Sequence, residues 1–282
     1  MSKLTNEFGA PDVFLKAVRG HPYSMGDADF SVTGLIGAPQ ISRLRRKYHE
    51  HITSDVRDEV WKLLGSGVHA VLEGHGDGLT EQRFFAEVDG IKISGAVDHI
   101  KNGHVTDYKV TSVWSTIRGI NPGWEYQLNF YAWLMRQNDM EVKSLQIVVI
   151  CRDWMKSRAD QDNYPSSPIV PIKIPLWSDE EQDAFVIERV QVHTAEETME
   201  CTPEERWARG AYRVIRTDGE HWGKRVGKAF DSLSEAAAFI NTKKTGSYSV
   251  QDNPDVKYIR CEGWCEIAEF CPQWQGEQND QE

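Results

Sequence analysis

The chain has 282 residues, 40% of them hydrophobic, and its 32 basic and 43 acidic side chains give a net charge of −11. That length and apolar content support one sizeable core and exclude a disordered chain or a miniature disulfide scaffold. The acidic balance excludes a protein that coats nucleic acid with its whole surface, so any nucleic-acid site must be a local basic patch.

The first thirty residues lack the basic, apolar, small-residue order of a secretory signal, and no apolar run approaches the roughly 18–20 residues of a membrane helix. An intracellular, cytoplasmic protein with no membrane partner is expected. Residues 1–30 read as an N-terminal extension. Ser31 to Ile36 is a short apolar stretch, and Pro39 opens a helix over Ile41–Tyr48 with a basic face. From Ser54 to Glu73, Val56, Val60, Leu63, Leu64, Val68, Val71 and Leu72 recur at spacings near three and four, which predicts a helix. Between Leu79 and Thr111 the pattern changes to alternation over Phe84–Val88, Ile91–Ile100 and Val105–Val110, a small antiparallel sheet.

Pro122 opens a helical run through Leu134, and Ser144–Cys151 is a continuous apolar strand of the kind buried on both faces. A strand over Ile169–Leu176 precedes Ser178-Asp-Glu-Glu181, a capping box that begins a long helix toward Met199, and Thr202-Pro-Glu-Glu205 begins a further short helix. Helices flanking a central mixed sheet make an α/β core over residues 31–208. Residues 209–245 read as a ββα insert or appendage: strands Tyr212–Arg216 and Arg225–Phe230 joined around Asp218-Gly219, then the helix Ser234–Ile240. Residues 246–282 form a cysteine-containing C-terminal segment whose Gln/Glu-rich tail after Trp274 is expected to fray.

The stretch Gly95-Ala-Val-Asp98-His-Ile-Lys-Asn102-Gly103-His-Val-Thr-Asp107-Tyr-Lys109 carries the most chemistry. Asn-Gly between two alternating runs signals a two-residue type I′ hairpin, because both turn residues must take positive φ. With Asn102 and Gly103 in the loop, Lys101 pairs with His104, and counting outward sets Asp98 opposite Asp107. Their Cβ atoms would then lie roughly 5 Å apart on one face, where two unit charges repel by about 3 kcal/mol at an effective dielectric of 20. Lys109, two residues from Asp107, points to the same face. Two carboxylates beside a lysine suit Mg²⁺ or Mn²⁺ and phosphodiester hydrolysis by an activated water. The plainer alternative is an exposed hairpin whose lysine neutralises two acids.

Taken together, Gly67-x-His69, Gly95-x-x-Asp98, Asp107-x-Lys109 and Gln127-x-x-x-Tyr131 resemble, in order and spacing across roughly residues 31–151, the RecB-like branch of the PD-(D/E)XK nuclease superfamily. Val97 stands where the superfamily name expects proline. The C-terminal half is similar, more loosely, to phage-encoded exonucleases related to the CRISPR-associated adaptation nucleases. The resemblance implies a restriction-endonuclease-like core. It further implies His69, Asp98, Asp107 and the backbone carbonyl of Val110 as metal ligands, and Lys109 as the catalytic lysine. Alone, His69 reads as an ordinary structural histidine. Gln127 and Tyr131, at i and i+4, share one helix face; they either line the site and contact DNA or bridge helix to sheet. Glu81 resembles an acidic position of some relatives.

For a polyanionic substrate, Arg43, Arg45, Arg46 and Lys47 form one basic cluster and Lys224, Arg225 and Lys228 a second, each also readable as a solvated surface. The five cysteines suit a reduced compartment. Cys261-x3-Cys265-x5-Cys271 resembles the C-terminal triad that holds an iron–sulfur cluster in several RecB-like nucleases. No cysteine precedes Cys151, so a four-thiolate cluster needs Cys151 or Cys201. Zinc with a histidine, or no metal, are the other readings. The expected function is a metal-dependent deoxyribonuclease, an exonuclease acting on DNA ends or single strands, alone or with a recombination or replication partner. A non-catalytic DNA-binding protein of the same fold and a structure-specific endonuclease are the rivals. No phosphate-binding loop of an ATP-driven motor occurs.

Overall fold

The computed structural model describes residues 3–20, 25–117, 119–197 and 199–279. In chain order the elements are β1 (Lys3–Thr5), α1 (Asp12–Gly20), β2 (Phe30–Ser31), α2 (Val32–Leu35), α3 (Pro39–Lys47), β3 (Thr53–Asp55), α4 (Val56–Glu73), β4 (Leu79–Val88), β5 (Ile91–Lys101), β6 (His104–Thr111), α5 (Trp114–Ile117), α6 (Pro122–Arg136), β7 (Ser144–Cys151), β8 (Ile169–Ile174) and α7 (Asp179–Thr194). There follow β9 (Ala208–Arg209), β10 (Tyr212–Arg216), α8 (Leu233–Asn241), β11 (Tyr248–Asp252), β12 (Lys257–Tyr258), α9 (Ile259–Gly263) and α10 (Pro272–Asn279). Two compact units result, one of residues 1–37 and 53–198, the other of residues 38–52 and 199–282. Helix α3, expected in the 31–208 core, thus goes with the second unit.

In the first unit, six strands among the described residues form one mixed sheet in the order β2-β5-β6-β7-β8, with β4 also pairing β5. The α/β core with a mixed sheet flanked by helices is the expected one. β6 and β7 are parallel and in register from His104–Ser144 to Thr111–Cys151, so the chain must cross over between them, and α6 supplies the crossover. Asn121 caps α6 and Pro122 takes its first turn. The helix lies in the core along most of its length: Leu128, Phe130, Leu134 and Met135 are fully buried, each worth about 1.5–3 kcal/mol of transfer free energy.

β5 carries the feature that makes the site. β4 takes one edge of it along almost its full length. The other edge is shared: β2 pairs with Ile93 and Ser94, and β6 with His99, Ile100 and Lys101. Residues 95–98 lie between the two partners, so the sheet forks at Gly95–Asp98. The hairpin beyond the fork is as expected, with Asn102 and Gly103 at φ of 52° and 81° and Lys101 opposite His104.

Several local expectations are corrected. Helix α4 begins at Val56, because Asp55 caps it and Thr53–Asp55 pairs in parallel with β1. The strand expected to Leu176 ends at Ile174, and α7, opened by the full Ser178–Glu181 capping box, ends at Thr194. At Thr202–Glu205 both capping-box bonds form, Thr202 N–H to Glu205 and Glu205 N–H to Thr202 Oγ1. They close a turn instead of a helix, and Trp207 at φ 55° breaks the run.

In the second unit the expected strand Arg225–Phe230 makes only isolated bridges, Ile215 to Arg225 and Tyr212 to Phe230. The ladder partner of β10 is instead β11, antiparallel from Tyr212–Asp252 to Arg216–Tyr248. α8 forms as expected, and with the pair β10–β11 it encloses Val214, Phe230 and Ala236. The tail expected to fray after Trp274 is helical to Asn279; residues 280–282 lie outside the described residues.

Candidate functional site

At the fork, hydrogen-bonding groups that a continuous ladder would consume are free for side chains. The β5–β6 pairing stops at His99–Thr106, one pair short of Asp98–Asp107. The Asp98 carboxylate fills the gap by accepting from the Tyr108 backbone N–H at 2.8 Å. Gly95 sits in the fork because nothing larger fits there: a Cβ would come within 2.8–2.9 Å of Tyr131, Leu134 and Val32.

Asp107 is 1% exposed. Its Oδ2 pairs with Lys109 Nζ at 2.7 Å, and its Oδ1 accepts from Gln127 Nε2 at 3.2 Å. The same Gln127 amide donates to the Tyr131 hydroxyl at 2.9 Å, so this pair on α6 orients Asp107 from behind. Lys109 and Asp107 therefore share a face, as period two requires.

On the other side of the cluster, His69 from α4 places Nε2 3.0 Å from the Tyr108 carbonyl oxygen. A proton on Nε2 leaves Nδ1 facing two carboxylates, Asp98 Oδ2 at 3.5 Å and Glu81 Oε1 at 3.6 Å. Glu81 comes from β4, opposite Asp98 by register, since Thr80 pairs with His99 and Gln82 with Val97. Its φ is 47°, left-handed backbone in mid-strand for a side chain other than glycine. Such a conformation costs on the order of 1–3 kcal/mol and persists only where the surroundings impose it.

The electrostatics are those of crowded anions. Burial first, then the Asp107 charge, raise Asp98 from 3.8 to about 7. The Glu81 carboxylate is the main cause that holds His69 above its ordinary value, against an opposing effect of burial and with further help from Asp98 and Asp107. Among the described residues, ligand atoms of His69, Glu81 and Asp98 all lie within 4.8 Å of one another, one nitrogen and two oxygens. That donor set fits a hard or borderline divalent cation such as Mg²⁺ or Mn²⁺.

Of the residues singled out above, His69 contacts Asp98, and Asp107, Lys109, Gln127 and Tyr131 form a second contact group that acts on Asp98 through the Asp107 charge, while Val110 lies beside Lys109 in β6, in register with Ile150 of β7. Glu81 is a fuller member than its weak sequence signal suggests. The basic cluster Arg43, Arg45, Arg46 and Lys47 lies on α3 in the second unit. There Arg45 pairs with Glu266. Burial and the neighbouring Arg43 charge lower Arg46 from its usual value. Lys224, Arg225 and Lys228 belong to the same unit.

Also in the second unit, Cys201, Cys261, Cys265 and Cys271 line one pocket with Arg206 and Arg260, while Cys151 ends β7 in the first unit. Gln40 Nε2 lies 3.5 Å from Cys271 Sγ, and its Oε1 accepts from the Cys201 N–H at 2.7 Å. Burial pushes the Cys201 thiol up to about 12. Among the described residues no three of these thiols are grouped closely enough to hold one metal ion, whereas tetrahedral zinc would need sulfurs about 3.8 Å apart.

No family model matches the chain, and no curated protein matches its sequence. Among solved structures, SSO0001 is 20% identical with a TM-score of 0.45, covering 65% of this chain and 86% of that one. A "putative exonuclease" of Eubacterium rectale is 14% identical with a TM-score of 0.33, covering 66% and 74%. At these scores neither likeness carries an argument, and the fold rests on its own topology. No helix among the described residues is long and apolar enough to cross a membrane.

Proposed function

We propose that the protein is a metal-dependent deoxyribonuclease of the RecB-like PD-(D/E)XK type, an exonuclease that hydrolyses phosphodiester bonds at DNA ends or on single strands. The observation that carries this reading is the pair of buried Asp107 with half-buried Lys109 set beside His69, Glu81 and Asp98 at the fork of a mixed sheet. His69 through Nδ1, Glu81 and Asp98 would hold Mg²⁺ or Mn²⁺, with Asp107 and the Val110 carbonyl as the further donors the family resemblance implies. A bound divalent cation supplies neutralising charge at the scissile phosphate and a more acidic water.

The chain's own groups do the rest. Lys109 lies 2.7 Å from Asp107, where its ammonium group can orient the attacking water and balance charge developing on the phosphoryl oxygens. Gln127 and Tyr131 hold Asp107 in a single orientation, and the Tyr108 N–H holds Asp98. The Tyr108 carbonyl fixes the His69 tautomer. Nothing in this array reads bases, which suits an enzyme that recognises backbone and ends.

The test is degradation of end-labelled linear double- and single-stranded DNA beside closed circles, with Mg²⁺, Mn²⁺ or EDTA, comparing wild type with Asp107→Ala. Metal-dependent loss of linear DNA alone, absent in the variant, is expected. Cleavage of closed circles would make the protein an endonuclease, and binding without cleavage under any metal would make it a non-catalytic DNA-binding protein.

For the cysteine pocket, the proposal is a four-thiolate iron–sulfur cluster with Cys201 as fourth ligand. A cluster spreads its ligands over several irons and so tolerates thiols too far apart for zinc, and Arg206 and Arg260 line the same pocket. Anaerobic purification should give a coloured protein with matching iron and sulfide. A colourless, iron-free preparation overturns it.

A further inference from the structure

Two tryptophans near the fork are left outside the core, Trp61 on α4 at 54% exposed and Trp114 on α5 at 48%. Each faces an arginine from the loop that follows β7. The Arg152 guanidinium lies 4.1 Å from the centre of the Trp61 ring. That of Arg158 lies 5.9 Å from Trp114 and 4.6 Å from Tyr164. The loop runs Arg152-Asp-Trp-Met-Lys156-Ser-Arg158, three cations in a chain that is acidic overall.

Placement relative to the site is set by register. Thr111 of β6 pairs with Cys151 of β7, and the Arg152 N–H donates to the Thr111 carbonyl at 2.9 Å. Arg152 therefore stands about 10 Å along the strand direction from Lys109, at 3.3 Å per residue. Trp61 precedes His69 by eight positions on α4, about 12 Å along the helix. Asp153 pins the other tryptophan: its carboxylate accepts from the Val113 N–H and the Ser112 hydroxyl, both at 2.6 Å, which fixes the turn that carries Trp114. The strip thus leaves the catalytic row past the carboxyl ends of two parallel strands, the place where open α/β sheets take ligands.

Exposed indoles interleaved with guanidinium groups are the chemistry of a stacking platform for unpaired bases. In a duplex the bases are already stacked and cannot use it. A membrane or protein partner would not require cations seated on each ring. We infer that Trp61, Arg152, Trp114 and Arg158 form a track for single-stranded DNA that feeds one strand to the site at the fork. The inference rests on the nuclease reading and adds to it that the strand is unpaired for a few nucleotides beside the scissile bond.

The experiment measures binding of a labelled oligothymidylate and of a duplex of equal length in EDTA, for wild type, Trp61→Ala, Trp61→Phe, Trp114→Ala and Arg152→Gln. Turnover of bis(p-nitrophenyl) phosphate with Mn²⁺ is measured beside it. Each alanine variant should bind the single strand about tenfold more weakly, with duplex binding and diester turnover unchanged. Trp61→Phe should restore most of the loss. Arg152→Gln should lower the salt slope of single-strand binding by about 0.7. Alanine variants that bind the single strand like wild type, or that lose duplex equally, overturn the track while diester turnover leaves the nuclease reading standing. A wild type inert toward both diester and DNA, whose alanine variants still lose the single strand, sinks the nuclease reading and leaves the track.

Discussion

The carboxylate cluster at the fork and the four-cysteine pocket are both donor sets, yet loss of a metal would mean different things to them. At the fork, three carboxyl groups, Glu81, Asp98 and Asp107, crowd together, with Asp98 raised chiefly by burial and then by Asp107, and with Lys109 paired to Asp107. In the cysteine pocket burial raises the Cys201 and Cys265 thiols above their usual values, and Cys201 and Cys271 pack with Ala38, Ile41, Ile52 and Ile267 as small apolar side chains. A hard-ligand site advertises its need as unpaired charge, whereas a soft-ligand site can pass for core. Removal of a cation should therefore be felt in stability at the first and in colour at the second.

The largest effect that sharpens this contrast is on catalysis. Lys109→Ala should lower the rate of DNA cleavage by about 10²–10³-fold with DNA affinity nearly unchanged, measured by single-turnover degradation and by binding in EDTA. A normal rate would remove Lys109 from the mechanism. Gly95→Ala should cost about 1–3 kcal/mol by overpacking the fork and should reduce cleavage with it, because Tyr131 must move. Chemical denaturation would check this, and a neutral outcome would mean the fork is looser than its contacts imply.

Cys201→Ser should remove bound iron and colour while leaving cleavage by the fork residues in place, read by absorbance and end-label release together. If the variant keeps its iron, the fourth ligand is another residue. The smallest effect is on pH dependence. Asp98, raised mainly by burial to about 7, keeps a proton in the folded protein that the unfolded chain gives up near pH 4. His69, held up chiefly by Glu81, contributes stability that is present below its unfolded value and lost as pH climbs past the folded one. Both signs agree, so the metal-free protein should lose stability as pH rises through the window from about 4 past 7. Because a cation competes with those protons, Mg²⁺ should raise the melting temperature more at pH 8 than at pH 6. Equal shifts at both would break the contrast.

The hairpin and its acids were legible because Asn-Gly sets the register and the register sets the face. Ser144–Cys151 was legible as a strand from its apolar run, although only alternate residues, Leu145, Ile147, Val149 and Cys151, are fully buried and not both faces as expected. Glu81 was only weakly so, through the resemblance alone, since its place depends on a left-handed residue in mid-strand that nothing local demands. The partner of β10 was not legible: β11 lies about thirty residues away, and no local signal chooses it over the nearer Arg225–Phe230. Thr202–Glu205 misled because a capping box satisfies two N–H groups equally well in a turn. The Trp61–Arg152 and Trp114–Arg158 pairs join residues far apart in the chain and so carry no local signal of their pairing, although the basic and aromatic residues of the loop after β7 are readable.

The left-handed backbone at Glu81 has a consequence for the history of such a chain. Glycine there would release the local strain and make the molecule sturdier, at the loss of one of the three clustered donors. Selection for heat resistance and selection for activity would pull that position in opposite directions.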